Sequence, residues 1–72
     1  MTALHTIYGR PLDYPDEFVC RRWDERTGDV LDVGEPFARG RTLDEVRRAL
    51  PAGLVNIGRQ PGDDPAIVES WV

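Results

Sequence analysis

Seventy-two residues, 40% apolar and 31% charged, suit one small globular domain: the chain has no room for a second and is too rich in apolar side chains to stay disordered. No apolar run exceeds three or four residues, which excludes a membrane-spanning helix, and the opening Met-Thr-Ala-Leu-His-Thr lacks the basic and apolar stretches of a signal peptide. A net charge of −4 argues against a general nucleic-acid binder, and the single cysteine, Cys20, has no internal disulfide partner, so the expectation is a cytoplasmic protein.

Along the chain, Leu4-His-Thr-Ile-Tyr8 is β-prone but short, stopped by Gly9 and Pro11, and reads as the weakest strand. Pro11 and Pro15 disfavour both helix and central strand, so residues 10–16 read as a loop. Phe18-Val-Cys-Arg-Arg-Trp23 is the first convincing strand, and Thr27-Gly28-Asp29 supplies a turn from which Val30-Leu-Asp-Val33 is expected to return antiparallel. Neither strand alternates cleanly enough to set its register.

A helix is predicted over about residues 43–50. Thr42-Leu-Asp-Glu45 matches a capping box, in which the Thr42 hydroxyl accepts from the Glu45 amide and the Glu45 side chain reaches back. Leu43, Val46 and Leu50 form one apolar stripe, Asp44 and Glu45 sit in the first turn, and Arg47 and Arg48 sit in the last, in keeping with the helix dipole. Pro51 and Gly53 end it. Leu54–Ile57 is a further strand candidate, Gln60–Pro65 a loop, and Ala66–Val72 the closing strand. The expected fold is therefore α+β: a small antiparallel sheet of four to five strands packed against one short helix, in the order β, β, β, α, β, β. Trp71 is the best large candidate for the core and Tyr14 the best for exposure.

No catalytic or metal-binding signature stands out. The segment Gly34–Thr42 follows a strand and opens a helix, but five residues separate its glycines, Arg41 stands where a phosphate loop has Lys, and Pro36 removes an amide. Asp63 and Asp64, and the cluster Asp13, Asp16 and Glu17, lack the spacing of a calcium loop. His5 and Cys20 are the sole histidine and cysteine, too few for a zinc site, and Cys20 in mid-strand reads as a small buried residue. No metal or other cofactor is expected, nor enzymatic activity.

Charge is unevenly spread. Residues 39–59 carry Arg39, Arg41, Arg47, Arg48 and Arg59 against two acids, whereas the residues before and after are acidic. Arg39, Arg41, Arg47 and Arg48 are thus the candidate anion-binding residues. Tyr14, Asp16 and Glu17 are the candidate protein-binding residues, because an aromatic beside prolines and acids suits a docking surface.

The pieces Ile7-Tyr-Gly-Arg-Pro11, Tyr14-Pro-Asp16, Phe18-Val19, Arg22-Trp23 and Pro61-Gly-Asp-Asp-Pro65-x-Ile67-Val-Glu69-x-Trp71 resemble short uncharacterised proteins of bacteria and their phages. The resemblance implies a phage or mobile-element origin and brings no activity or site residues. Two functions are expected to compete. One is a non-enzymatic protein–protein interaction module, in its specific form a phage inhibitor of a host defence complex such as CRISPR. The other is a small anion-binding or nucleic-acid-associated domain using the Arg39–Arg48 segment. A protein partner is favoured over nucleic acid or membrane, and a homodimer is compatible with the sequence.

Overall fold

The computed structural model describes residues 3–72. In chain order its elements are β1 (Ala3–Gly9), β2 (Phe18–Asp24), β3 (Ala38–Gly40), α1 (Leu43–Arg48), β4 (Asn56–Gly58) and β5 (Ile67–Trp71). The strands make one sheet in the order β3-β2-β1-β5-β4, with every neighbouring pair antiparallel. The protein is an α+β fold, with one short helix on a five-stranded sheet.

Two expectations about the strands are corrected. The first strand, read as the weakest, is the centre of the sheet: all seven residues of β1 pair with β2, and His5 to Tyr8 also pair with β5. His5, Thr6 and Ile7 are buried there, so neighbours on both sides supply what local propensity does not. The expected strand at Val30–Val33 does not form. Only Val30 bridges back, to Trp23, and the third strand is Ala38–Gly40, beside Phe18–Cys20. Asp32 explains the departure. Its carboxylate accepts from the Arg22 backbone amide at 2.8 Å and from the Arg22 guanidinium at 2.7 and 3.0 Å, so a side chain occupies the place of a ladder carbonyl. The Arg21 guanidinium donates to the carbonyls of Asp32 and Gly34, holding the irregular chain against β2.

The helix starts as its sequence predicts. Thr42 is extended at φ −123° and ψ 154°, and its hydroxyl accepts from the Glu45 amide at 3.2 Å. The Glu45 carboxylate reaches back one residue further than a standard capping box, to the Arg41 amide at 3.1 Å. Gly40 makes room for this: a Cβ there would lie 2.7 Å from both Glu45 Cβ and Glu45 Oε2. Regular helix ends at Arg48, two residues short of the predicted end, and Ala49 and Leu50 close the turn through amides given to the Val46 and Arg47 carbonyls. The strand expected over 54–57 lies at Asn56–Gly58, extended by mutual Val55–Val72 backbone bonds of 2.6 and 2.9 Å, and the closing strand is trimmed to 67–71.

Leu43, Val46 and Leu50 face the sheet as the stripe predicts. Val46 meets Ile7 and Cys20 in the buried core, and Phe18, Phe37, Ala38, Leu43, Leu50 and Trp71 pack around them. Trp71 is therefore a core-wall residue, half-buried rather than enclosed. Successive residues of a strand point to opposite faces, so His5, Ile7 and Gly9 take the helix side while Leu4, Thr6 and Tyr8 take the other. Among the described residues, no helix is long and apolar enough to cross a membrane.

Candidate functional site

The residues singled out in the sequence fall into clusters that already satisfy one another. Tyr14 is half-buried, not exposed, with the Arg39 guanidinium 5.1 Å from its ring centre. Arg39 also reaches Glu17 at 3.6 Å, so one Arg of the candidate anion site binds two of the three candidate protein-binding residues. Asp16 remains exposed. The loop carrying them is tied down: Arg10 donates to the Glu17 carbonyl, Tyr14 to that of Pro11, and Arg21 pairs with Asp13 at 2.9 Å. Arg21 stands opposite Thr6, and Arg39 opposite Val19, which itself stands opposite Tyr8; register thus places both arginines on the side of the sheet away from the helix. The 10–17 loop is fastened to that side by these two arginines, where Val19 is buried apart from the helix-side core.

The other arginines are also engaged. Arg47 donates to both oxygens of Glu69 at 2.5 and 2.8 Å, and Arg48 pairs with Asp44 one helical turn away at 2.9 Å. Arg41 has no ion-pair partner among the described residues. Three of the four arginines thus serve three separate carboxylates. The amide of Glu45, third residue of α1, is used by Thr42 and that of Arg41 by Glu45.

On the helix side the charged groups are matched to the burial. Glu69, 4% exposed, also accepts from the Trp71 indole at 2.6 Å, and the Arg47 hydrogen bonds hold its carboxyl below the usual range against the opposing effect of burial. Hydrogen bonding to Arg22 likewise lowers Asp32, and the Arg22 guanidinium lies 4.7 Å from the centre of the Phe37 ring. His5 packs edge-on against that ring at 5.3 Å; burial, with the Arg22 charge second, keeps it from protonating as readily as a free histidine. Cys20 is enclosed as expected, and burial pushes its thiol up to about 12, which leaves almost no thiolate near neutrality. Neither side chain is presented as a reactive group.

The side of the sheet away from the helix offers something the sequence reading missed. Beyond the 10–17 loop, three cross-strand pairs, Leu4 with Trp23, Thr6 with Ser70 and Tyr8 with Ile67, line an open concavity of about 460 Å³. Thr6 and Ser70 form its buried polar floor, their hydroxyls 3.2 Å apart. Leu4, Tyr8, Trp23 and Ile67 are each half-buried and give it apolar walls. Asp24, the last residue of β2, Glu25, from the turn that follows, and Asp63, from the loop before β5, complete the lining. Burial raises the Tyr8 phenol above its ordinary value; Asp63 and Asp64 push the same way, while Trp23 and Arg21 oppose. The one available signal was the spacing Leu4-x-Thr6-x-Tyr8, which carries information only once the register to β2 and β5 is known.

The concavity is open, aromatic and acid-rimmed, and has room for a side chain or a short segment. Among the described residues, no three His, Cys, Asp or Glu side chains come together as a metal site would require. No protein-family model matches the chain, and neither a curated protein nor a solved structure is similar to it.

Proposed function

We propose that the chain is a non-enzymatic protein-interaction module that docks its partner on the face of the sheet opposite the helix. The observation carrying this reading is the Leu4–Tyr8–Trp23–Ile67 concavity, an apolar and aromatic hollow on the face that the one helix among the described residues does not cover. A sheet needs a packed layer on each apolar face, and a partner can supply the second. Tyr and Trp concentrate binding energy at interfaces because a large rigid ring loses little entropy on docking. Leu12, fully exposed on the pinned 10–17 loop, and Asp16 beside it would extend the contact over the same side. Tyr14 and Glu17 act in this reading by keeping the loop in place through Arg39.

The specific form of the proposal is a phage-encoded inhibitor of a host defence complex. Small size and a net charge of −4 support it, since such an inhibitor would cover basic surface that its target uses for nucleic acid.

The test places a photoreactive amino acid at Glu25 or Ile67, lining the concavity, and at Arg48, on the exposed side of the helix, in the cells that make the protein. Irradiation is expected to give one discrete heavier adduct from positions 25 and 67 and none from 48. Adducts of equal yield from all three positions, or from none, would overturn the docking reading. The identity of the adduct decides the specific form: a subunit of a defence complex supports it and any other protein refutes it.

A further inference from the structure

Taking the open face as the docking site, we propose that it receives an arginine- or lysine-bearing segment of a partner protein, with its cationic heads along the rim lined by Asp24, Glu25 and Asp63 and its apolar stems along Trp23 and Tyr8.

Five ion pairs engage Asp13, Glu17, Asp32, Asp44 and Glu69. The three rim carboxylates belong to none of them among the described residues. Their internal bonds are few. Asp24 Oδ1 accepts from the Arg26 amide and Asp63 Oδ2 from the Gln60 amide, both at 2.8 Å, which leaves the second oxygen of each for another donor. Arg59 is close by and donates to the main-chain carbonyls of Asp63 and Asp64 at 3.1 and 3.3 Å, stiffening the loop without an ion pair to the carboxylate among the described residues. Of the thirteen acids, eight have no ion pair among the described residues, and three of those eight line one aromatic hollow.

The walls suit the same guest. A guanidinium or ammonium is drawn to the electron-rich face of an indole or phenol ring, and its aliphatic stem gains from apolar contact. The hollow, about 460 Å³, holds more than one side chain, so a short segment fits better than a lone ion. The Thr6 and Ser70 hydroxyls at the floor can each turn toward a main-chain or guanidinium group. Besides burial, Asp64 and Asp63 each make Tyr8 harder to ionise, with Arg21 opposing them. An acidic peptide, a phosphate backbone or an anionic lipid surface would meet like charge.

The two tryptophans provide the readout. Trp23 lines the hollow, whereas Trp71 lies on the helix side with its indole bonded to Glu69, so their two indole N–H signals report on opposite faces. The uniformly ¹⁵N-labelled protein is titrated with acetyl-Leu-Arg-Leu-Arg-amide and with the same peptide carrying Gln or Glu in place of Arg. The Arg peptide is expected to shift the Trp23 signal saturably, the Gln peptide to bind about tenfold more weakly, and the Glu peptide to leave it still. The Trp71 signal should not move. Glu25→Gln with Asp63→Asn should bring the Arg peptide down to the level of the Gln peptide. If that double variant loses its Trp71 signal by unfolding, Glu25→Gln alone carries the test with an expected loss of about threefold, because Glu25 is exposed and accepts no hydrogen bond among the described residues. Equal binding of Arg and Gln peptides would overturn cation recognition while the docking reading stands. No peptide moving Trp23 would overturn both. Tetramethylammonium saturating the site as tightly as the Arg peptide would replace the protein segment with a small organic cation and overturn the proposal.

Discussion

On the helix side of β1, His5, Ile7 and Gly9 alternate into an enclosed core, and the charged groups beside it, Arg22 and Arg47, each grip a carboxylate in two places. On the other side of the same strand, Leu4, Thr6 and Tyr8 line a hollow whose rim acids form no ion pair among the described residues. One strand therefore serves two purposes by its pleat alone. The helix side is built as a folding core, where burial makes an unmatched charge costly. The open side tolerates unmatched charge because water reaches it, and it retains aromatic surface that folding alone would have covered. The difference separates what the fold needs from what it presents.

The largest expected effect tests that separation directly. Ile7→Ala removes a fully buried side chain at the centre of the helix-side core and should cost about 3 kcal/mol. A domain of this length has roughly 4–10 kcal/mol in all, so the variant would be close to unfolding at room temperature. Leu4→Ala, three positions earlier and on the open side, is half-buried and should cost about 1 kcal/mol or less. Urea midpoints of the two variants give the comparison. Equal losses would mean that the open face is a second core and not a docking surface.

Much of the helix-side architecture was legible because it is local. Thr42, Glu45 and the Leu43–Val46–Leu50 stripe lie within nine residues, and the cap, the stripe and the charge order agree with one another. The rest depends on contacts across the chain. β1 looks weak alone and is central because β5 arrives from more than sixty residues away, pairing Thr6 with Ser70. The failed strand at Val30–Val33 turns on Asp32 finding Arg22, a side-chain bond that strand propensity cannot register. The hollow was hidden for the same reason: its walls come from three strands whose shared face is set by register. Tyr14 and Glu17 belong to one candidate set in the sequence and Arg39 to another, and the contact between the sets became visible only when β3 placed Arg39 beside β2.

A smaller effect examines how the helix side holds its charges. Arg47→Ala leaves the Glu69 carboxylate, 4% exposed, with the Trp71 indole in place of a bidentate guanidinium, and should cost about 2 kcal/mol at neutral pH. Its pH dependence has a definite sign. Glu69 has a folded-state pKa below its unfolded value, mainly through Arg47, so the pair's contribution is full above the unfolded pKa and is lost as pH falls through the folded one. The stability gap between wild type and Arg47→Ala should therefore be widest near pH 7 and shrink as the pH drops below about 4, near the ordinary carboxylate value. Denaturation at several pH values measures it. A gap that does not change with pH would mean that Arg47 contributes through packing of its stem and not through its charge.

The smallest expected effect bears on the open side, and a null result there is informative. Glu25→Gln keeps the size of an exposed side chain that makes no hydrogen bond among the described residues, so no contact of the fold is lost. It removes one of three negative charges grouped around a single hollow, with Asp63 and Asp64 also raising the pKa of Tyr8. Like charges held close cost stability when no cation sits between them, and that cost is small where water screens it. Stability should therefore stay within about 0.5 kcal/mol of wild type, tilted toward a gain, and the gain should fade as salt is added. The same substitution on the helix side, Glu69→Gln, should be destabilising, because there the charge is matched and buried. If Glu25→Gln instead destabilises the domain by as much as Glu69→Gln, the rim carboxylates are part of the folding architecture, and the contrast between the two faces is lost. If it stabilises or leaves the fold unchanged, the Glu25 charge has no folding benefit, as the proposal of a cationic guest requires.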